Sequence, residues 1–244
     1  MAIYTGVADA NGDFTVPFSS NYTGGQKITV IAEKDSATKS IELFAPTSVT
    51  GGGPIQFSGT MVDFPNNIGN VTLATEIQGI IPNACFADTG NYYSLFSKAK
   101  GLIIDGIVTI IKNDAFKNWG EATLLTLPDS LTRIENNAFY GWSKLVEIRV
   151  PNSVTFIGDG SFGFPYACKK LTIGSGVESI GIAAFTYMTS CDEIILLPAT
   201  PPTISTNTFM DVKSSCVFKV PAASLNAYQS ASNWSAYAGR MIGV

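Results

Sequence analysis

Apolar positions recur along this chain with a period much longer than that of a helix or a strand. An isoleucine followed five residues later by a phenylalanine appears as Ile81/Phe86, Ile111/Phe116, Ile134/Phe139, Ile157/Phe162, Ile180/Phe185 and Ile204/Phe209. From Phe116 onward the phenylalanines stand 23, 23, 23 and 24 residues apart. Fourteen residues before each of them an apolar-x-apolar pair begins: Leu102/Ile104, Leu125/Leu127, Ile148/Val150, Leu171/Ile173 and Ile195/Leu197. A further pair, Phe218/Val220, follows without its own phenylalanine, and Val108, Leu131, Val154 and Val177 each precede a repeat isoleucine by three residues.

The alternating pair is the signature of a short strand with both apolar side chains on one face. Pro128, Pro151, Pro198 and Pro221 follow such pairs directly and end the strands. The next segment returns the chain, and the phenylalanine fills the interior of the coil. One unit of this length cannot bury its own apolar face, whereas stacked units share a continuous core. The pattern therefore predicts a repeat solenoid.

The segments IENNAFYGWSKLVEIRVPNSVTFIGDGSF and LTIGSGVESIGIAAF, together with LLPATPPTISTNTF and the closing stretch VFKVPAASLNAYQSASNWSAYAGRMIGV, resemble the BspA-like leucine-rich repeats of bacterial, protist and phage surface proteins. The resemblance spans roughly residues 69–244. It implies a right-handed solenoid with a curved parallel β-sheet and short helical or irregular returns, a C-terminal cap, and a role in adhesion or partner binding. It brings no catalytic residues. The expected organisation is a β module over 1–48, a linker over 49–68, the solenoid over 69–221 and a helical cap over 222–244. In the cap, Leu225 and Tyr228 are expected to face the last coil. The longer gap from Phe86 to Phe116 predicts an outward bulge near Asn91–Lys98.

The first 48 residues have a different rhythm. Phe14, Val16 and Phe18 alternate, then Ile28, Val30 and Ala32, then Ile41 and Leu43, with turn signals at Asp9–Gly12 and Thr23–Gly25. DANGDFTVPF and GGQKITVIAEKDSATKSIEL resemble the second half of a bacterial Ig-like domain, of the kind found in adhesins and phage tail proteins. A full sandwich needs about seven strands. The module is thus truncated, abbreviated, or completed by another chain, and a homo-oligomer through it is one expected outcome.

Composition narrows the function. Of 244 residues 45% are hydrophobic and 14% charged, with 23 glycines and 12 prolines, which suits a β- and turn-rich fold. The net charge of −4 without a basic block argues against a nucleic-acid partner. No apolar run approaches the roughly 20 residues a membrane helix needs, so membrane insertion is not expected. The N-terminal segment lacks signal-peptide character: either the chain is trimmed or it never used one, as in a virion component. The chain has no histidine, which removes the commonest general base and metal ligand. No cofactor and no metal are expected. Cys85, Cys168, Cys191 and Cys216 do not have zinc-ligand spacing. Cys168 and Cys191 are one repeat apart and are read as close but reduced thiols in an apolar column, with a disulfide as the other reading.

Binding rather than catalysis is therefore the expected activity. Asp105, Asp114, Asp129 and Glu135 fall on repeat turns, where acids cap and solubilise. The outward positions of the main strands form the candidate contact face: Ile103, Leu124, Thr126, Glu147, Arg149, Lys170, Thr172, Ile194 and Leu196. Apolar members of that set mark either a covered partner surface or contact with an adjacent loop. Glu147 and Lys170 are expected to pair across neighbouring strands. Tyr92, Tyr93, Tyr140, Tyr166 and Tyr187 are the candidate exposed aromatics, while Trp119 and Trp142, sharing a column, are read as packing, with stacking on sugar rings as the other reading. The expected role is adhesion or recognition of a host-cell receptor, protein or glycan, from a phage tail or a bacterial surface. The alternative is an assembly component holding neighbouring structural proteins.

Overall fold

The computed structural model describes residues 3–5, 27–34, 37–44, 56–57, 70–73, 78–87 and 96–244. The first five coils of the solenoid each contribute one strand to each of two sheet faces, and the later ones add strands to the main face only. The main face comprises β5 (Asn70–Leu73), β7 (Gly101–Ile104), β9 (Leu124–Thr126), β11 (Glu147–Val150), β13 (Lys170–Ile173), β15 (Glu193–Leu196), β16 (Val217–Val220) and β17 (Met241–Gly243). The strands pair in the orders β5-β7-β9 and β11-β13-β15-β16-β17, all parallel. The second face holds β6 (Gln78–Ile81), β8 (Ile107–Ile111), β10 (Arg133–Ile134), β12 (Phe156–Ile157) and β14 (Ser179–Ile180), again parallel and in chain order.

The repeat phenylalanines form the axis of the core. Phe86, Phe116, Phe139, Phe162, Phe185 and Phe209 are buried and stack one on the next, with ring centroids 5.0, 5.5, 5.1, 5.4 and 5.6 Å apart. This separation matches the distance between adjacent strands, so each ring fills its own coil and touches its neighbours. A second stack runs beside it. Trp119 and Trp142 lie 5.4 Å apart and nearly parallel, and each indole edge meets the phenylalanine of its own coil. Their N–H groups donate to the carbonyls of Phe86 and Phe116, at 2.7 and 2.6 Å. Phe96, expected in an outward bulge, instead packs on Trp119 at 5.3 Å and extends this stack.

Ahead of the C-terminal cap, the described returns between strands are hydrogen-bonded turns, with one 3₁₀ helix at Phe96–Lys98. Side-chain ladders hold them together. Asn83, Asn113, Asn136 and Asp159 each accept a hydrogen bond from the backbone N–H of the next coil. These ladders supply acceptors where the sheet does not. Pro221 leads into a 3₁₀ turn (Ala222–Ser224), then α1 (Leu225–Ser230) and a second 3₁₀ segment (Trp234–Arg240). Tyr228 and Trp234 are buried against the last coil, where the Tyr228 hydroxyl donates to Pro198 and the Trp234 N–H to Pro202.

Near the N-terminus, β2 (Lys27–Lys34) and β3 (Ala37–Phe44) form an antiparallel pair carrying Ile28, Val30, Ala32, Ile41 and Leu43. β4 (Gln56–Phe57) adds to β3 antiparallel, and β1 (Ile3–Thr5) pairs with β2 in parallel, a pairing that alternating hairpins alone would not give. Phe14, Val16 and Phe18 lie outside the described residues.

Candidate recognition surface

The strands of the main face place alternate side chains inside and outside the solenoid. On β11 the buried residues are Ile148 and Val150 and the exposed ones Glu147 and Arg149. Strand register then aligns the outward residues into two columns. Arg149, Thr172, Ile195, Lys219 and Ile242 are successive partners in one, and Ile103 with Thr126 occupies the same position on β7 and β9. Glu147, Lys170, Glu193 and Val217 are successive partners in the other, with Leu124 at the equivalent place on β9.

Two candidate contact residues are corrected by this register. Ile194 and Leu196 are not on the surface: they are 0% and 1% exposed and point into the core. Their outward positions belong to Glu193 and Ile195. Counting back from Phe209 misplaces this strand because the extra residue of the last repeat lies after β15, before Thr203, which bridges to Ser179. The spacing of 23 residues from Cys168 to Cys191 carried the correct register. Of the remaining sheet residues, Leu124, Thr126, Glu147 and Arg149 are exposed and Ile103, Lys170 and Thr172 half-buried.

Charge pairing on this face also differs from expectation. Lys170 reaches Glu193 at 3.2 Å rather than pairing with Glu147. Glu193 bonds Lys219 as well, so one carboxylate bridges three strands. The hydrogen bonds from Lys219, then Lys170, hold its pKa below the usual carboxylate range. At one edge Glu121 links Lys100 and Lys144. These pairs are half-buried to exposed and reached by water, so each stabilises little.

The candidate aromatics gather on the turns that follow the core phenylalanines; Tyr166 is exposed, whereas Tyr140 and Tyr187, expected to be exposed, are half-buried. Tyr140, Tyr166 and Tyr187 meet around Phe164, which the sequence pattern had not singled out. Tyr92 and Tyr93 lie outside the described residues. The turn acids do not assemble a catalytic group: Asp114 pairs with Lys117 and Glu135 with Arg133, each within its own turn or strand end. Among the described residues no three His, Cys, Asp or Glu side chains are grouped to hold a metal ion, and no helix is long and apolar enough to cross a membrane.

The cysteines are free thiols. Cys168, Cys191 and Cys216 are buried; the Cys191 thiol donates to the Glu193 carbonyl at 3.3 Å and faces Cys216, a neighbour that the fixed repeat spacing obscured. Burial pushes the Cys168 and Cys85 thiols up to about 12. The contact with Cys216, followed by burial, raises Cys191 well above the ordinary thiol range. The thiolate is the reactive form; the contact with Cys191 lowers the Cys216 thiol, but Cys216, like Cys168 and Cys191, is shut off from solvent, so a thiol reagent is expected to label these three slowly in the native protein. In denaturant without reductant it is expected to count four thiols, as the free cysteines require. A count of two would show a disulfide in the column.

Parallel strands repeated coil by coil, an inward ladder of apolar residues and an outward face of varied side chains define a leucine-rich-repeat solenoid. The chain belongs to the BspA type leucine rich repeat family, whose pattern matches six copies over residues 109–231. Among solved structures, the chain is similar to the pneumococcal vaccine antigen PcpA, at 19% identity and a TM-score of 0.55 over 88% of this chain and 48% of that one. It thus spans about half the length of that antigen. A leucine-rich-repeat protein of T. pallidum is similar at 16% identity and a TM-score of 0.50, with 76% of this chain and 86% of that one covered. At these identities the likeness shows the shared fold. No curated protein matches the chain.

Proposed function

We propose that this chain is a non-catalytic binding protein displayed on a bacterial surface or a phage virion, where its solenoid recognises a host-cell receptor. One observation carries the reading. The axial interior column holds the same residue in every coil, phenylalanine at 116, 139, 162, 185 and 209, whereas the outward column runs Thr126, Arg149, Thr172, Ile195, Lys219. A stacking core constrains its own residues to one shape. The outer positions carry no such constraint, and their variety gives the face the individual chemistry a partner reads. The surface setting draws support from the BspA-type family and from the likeness to a vaccine antigen.

The test is saturable binding of the labelled full chain to a panel of intact bacterial and animal cells. Replacing Arg149 by glutamate and Thr172 by lysine inverts the centre of the face at positions outside the core. Binding is expected to fall by about tenfold or more, the loss of roughly 1.4 kcal/mol, with Tm unchanged. A parent chain that binds no cell surface defeats the reading and favours an assembly component.

A further inference from the structure

The position two residues after each core phenylalanine has the same backbone shape in five coils. Asn118, Gly141, Phe164, Tyr187 and Asp211 all have positive φ, at 68°, 83°, 69°, 60° and 56°. The shape is imposed by stacking. At this position Asn118, Gly141, Phe164 and Tyr187 each donate their N–H to a carbonyl of the following coil, at 2.7, 2.9, 3.1 and 2.9 Å. Glycine, asparagine and aspartate adopt this conformation readily, while a bulky side chain does so only under strain. Three coils use the tolerant residues, and two adjacent coils use aromatics.

The rings of Phe164 and Tyr187 are not core residues, because the interior of those coils is filled by Phe162 and Phe185. They are half-buried on the outside and stack on each other at 4.6 Å. Tyr140 meets Phe164 edge-on at 5.0 Å, and Tyr166, which is 44% exposed, leans over both. Gly163 leaves the room Tyr140 needs, since a Cβ there would lie 3.0 Å from its ring. The hydroxyls of Tyr140, Tyr166 and Tyr187 bond no described residue, in contrast to the satisfied hydroxyl of Tyr228. Among the described residues, the only cation against these rings is Lys117, over Tyr140, and it is paired with Asp114.

We propose that this patch is a glycan-binding subsite that takes an uncharged pyranose oligosaccharide. The inference rests on the reading of the chain as a surface-binding protein. The apolar C–H face of a pyranose complements the negative face of an aromatic ring, and its hydroxyls complement three free phenols. Among the described residues no unpaired cation lies against the rings, which disfavours anionic polymers. Size decides against a protein: a stable partner needs about 800 Å² on each side, far more than four partly buried rings expose. A ligand of one to three sugar rings fits.

The experiment uses the full chain with ¹³C-labelled tyrosine and phenylalanine, titrated with trisaccharides of β-1,4-linked glucose, β-1,4-linked N-acetylglucosamine and α-1,4-linked glucose. At least one sugar is expected to shift the Tyr166 and Tyr187 ring signals saturably, with Kd of about 1 mM. The double variant Phe164→Asn and Tyr187→Asn, which installs the residue this position holds at Asn118, is expected to weaken binding by about tenfold or more. Its Tm should hold or rise, because asparagine relieves the backbone; rings with a purely structural role would lower it. Tyr166→Ala, outside the strained position, should also weaken binding. The proposal is overturned if none of the three sugars moves these signals, or if the double variant binds within about twofold of the parent. Cell binding that persists in the double variant but is lost on inverting Arg149 and Thr172 removes the subsite and leaves the broader reading standing.

Discussion

Replacing Phe139 by alanine is expected to cost about 3–5 kcal/mol of stability. The ring is fully buried and sits between Phe116 and Phe162, with Trp142 against its edge. Truncation removes its buried surface and opens a cavity along the axis. Neighbouring coils cannot close in, because strand hydrogen bonds fix their spacing. In a folded unit of this size each kcal/mol moves Tm by roughly 2–4 °C, so calorimetry should record a fall of more than about 6 °C. Stability in a solenoid is shared between nearest neighbours, so amide exchange should show the loss spreading to the coils on both sides. An unchanged Tm would contradict the stacked core.

The second large effect is expected at Trp142, through two separable terms. Trp142→Ala should cost about 3–5 kcal/mol for the lost ring volume. Trp142→Phe keeps an aromatic ring between Trp119 and Phe139 but loses the N–H that donates to Phe116 at 2.6 Å. A buried carbonyl left without its donor costs about 1–3 kcal/mol, so the phenylalanine variant should fall between the parent and the alanine variant in urea unfolding. Equal losses for the two substitutions would mean that the hydrogen bond, and not the packing, dominates.

The glycan subsite could be read from the sequence only in part. Tyr140, Tyr166 and Tyr187 were recognisable as aromatics outside the repeat columns, but nothing local shows that they meet. Phe164 is their junction, and its signal is subtle: it takes a position that other coils fill with Asn118, Gly141 and Asp211. The sheet face was legible in most of its members, since period-two alternation assigns inside and outside once one strand is placed. Cys216 escaped because it stands 25 residues after Cys191, off the common spacing.

The sequence by itself determined the solenoid, the inward columns outside β15 and the segment where it is capped. It could do so because those features follow from burying one repeated apolar pattern against itself. The tertiary structure alone decided the register of β15. A single added residue in the last repeat can be absorbed on either side of a strand, and a slip of one residue exchanges every inward and outward side chain. The coil absorbs it beyond Leu196, where Pro198, Pro201 and Pro202 have no N–H to hold a ladder. Hydrogen bonds from Lys170–Ile173 to Glu193–Leu196 then fix the strand, with Ile194 and Leu196 inside and Glu193 and Ile195 facing the solvent.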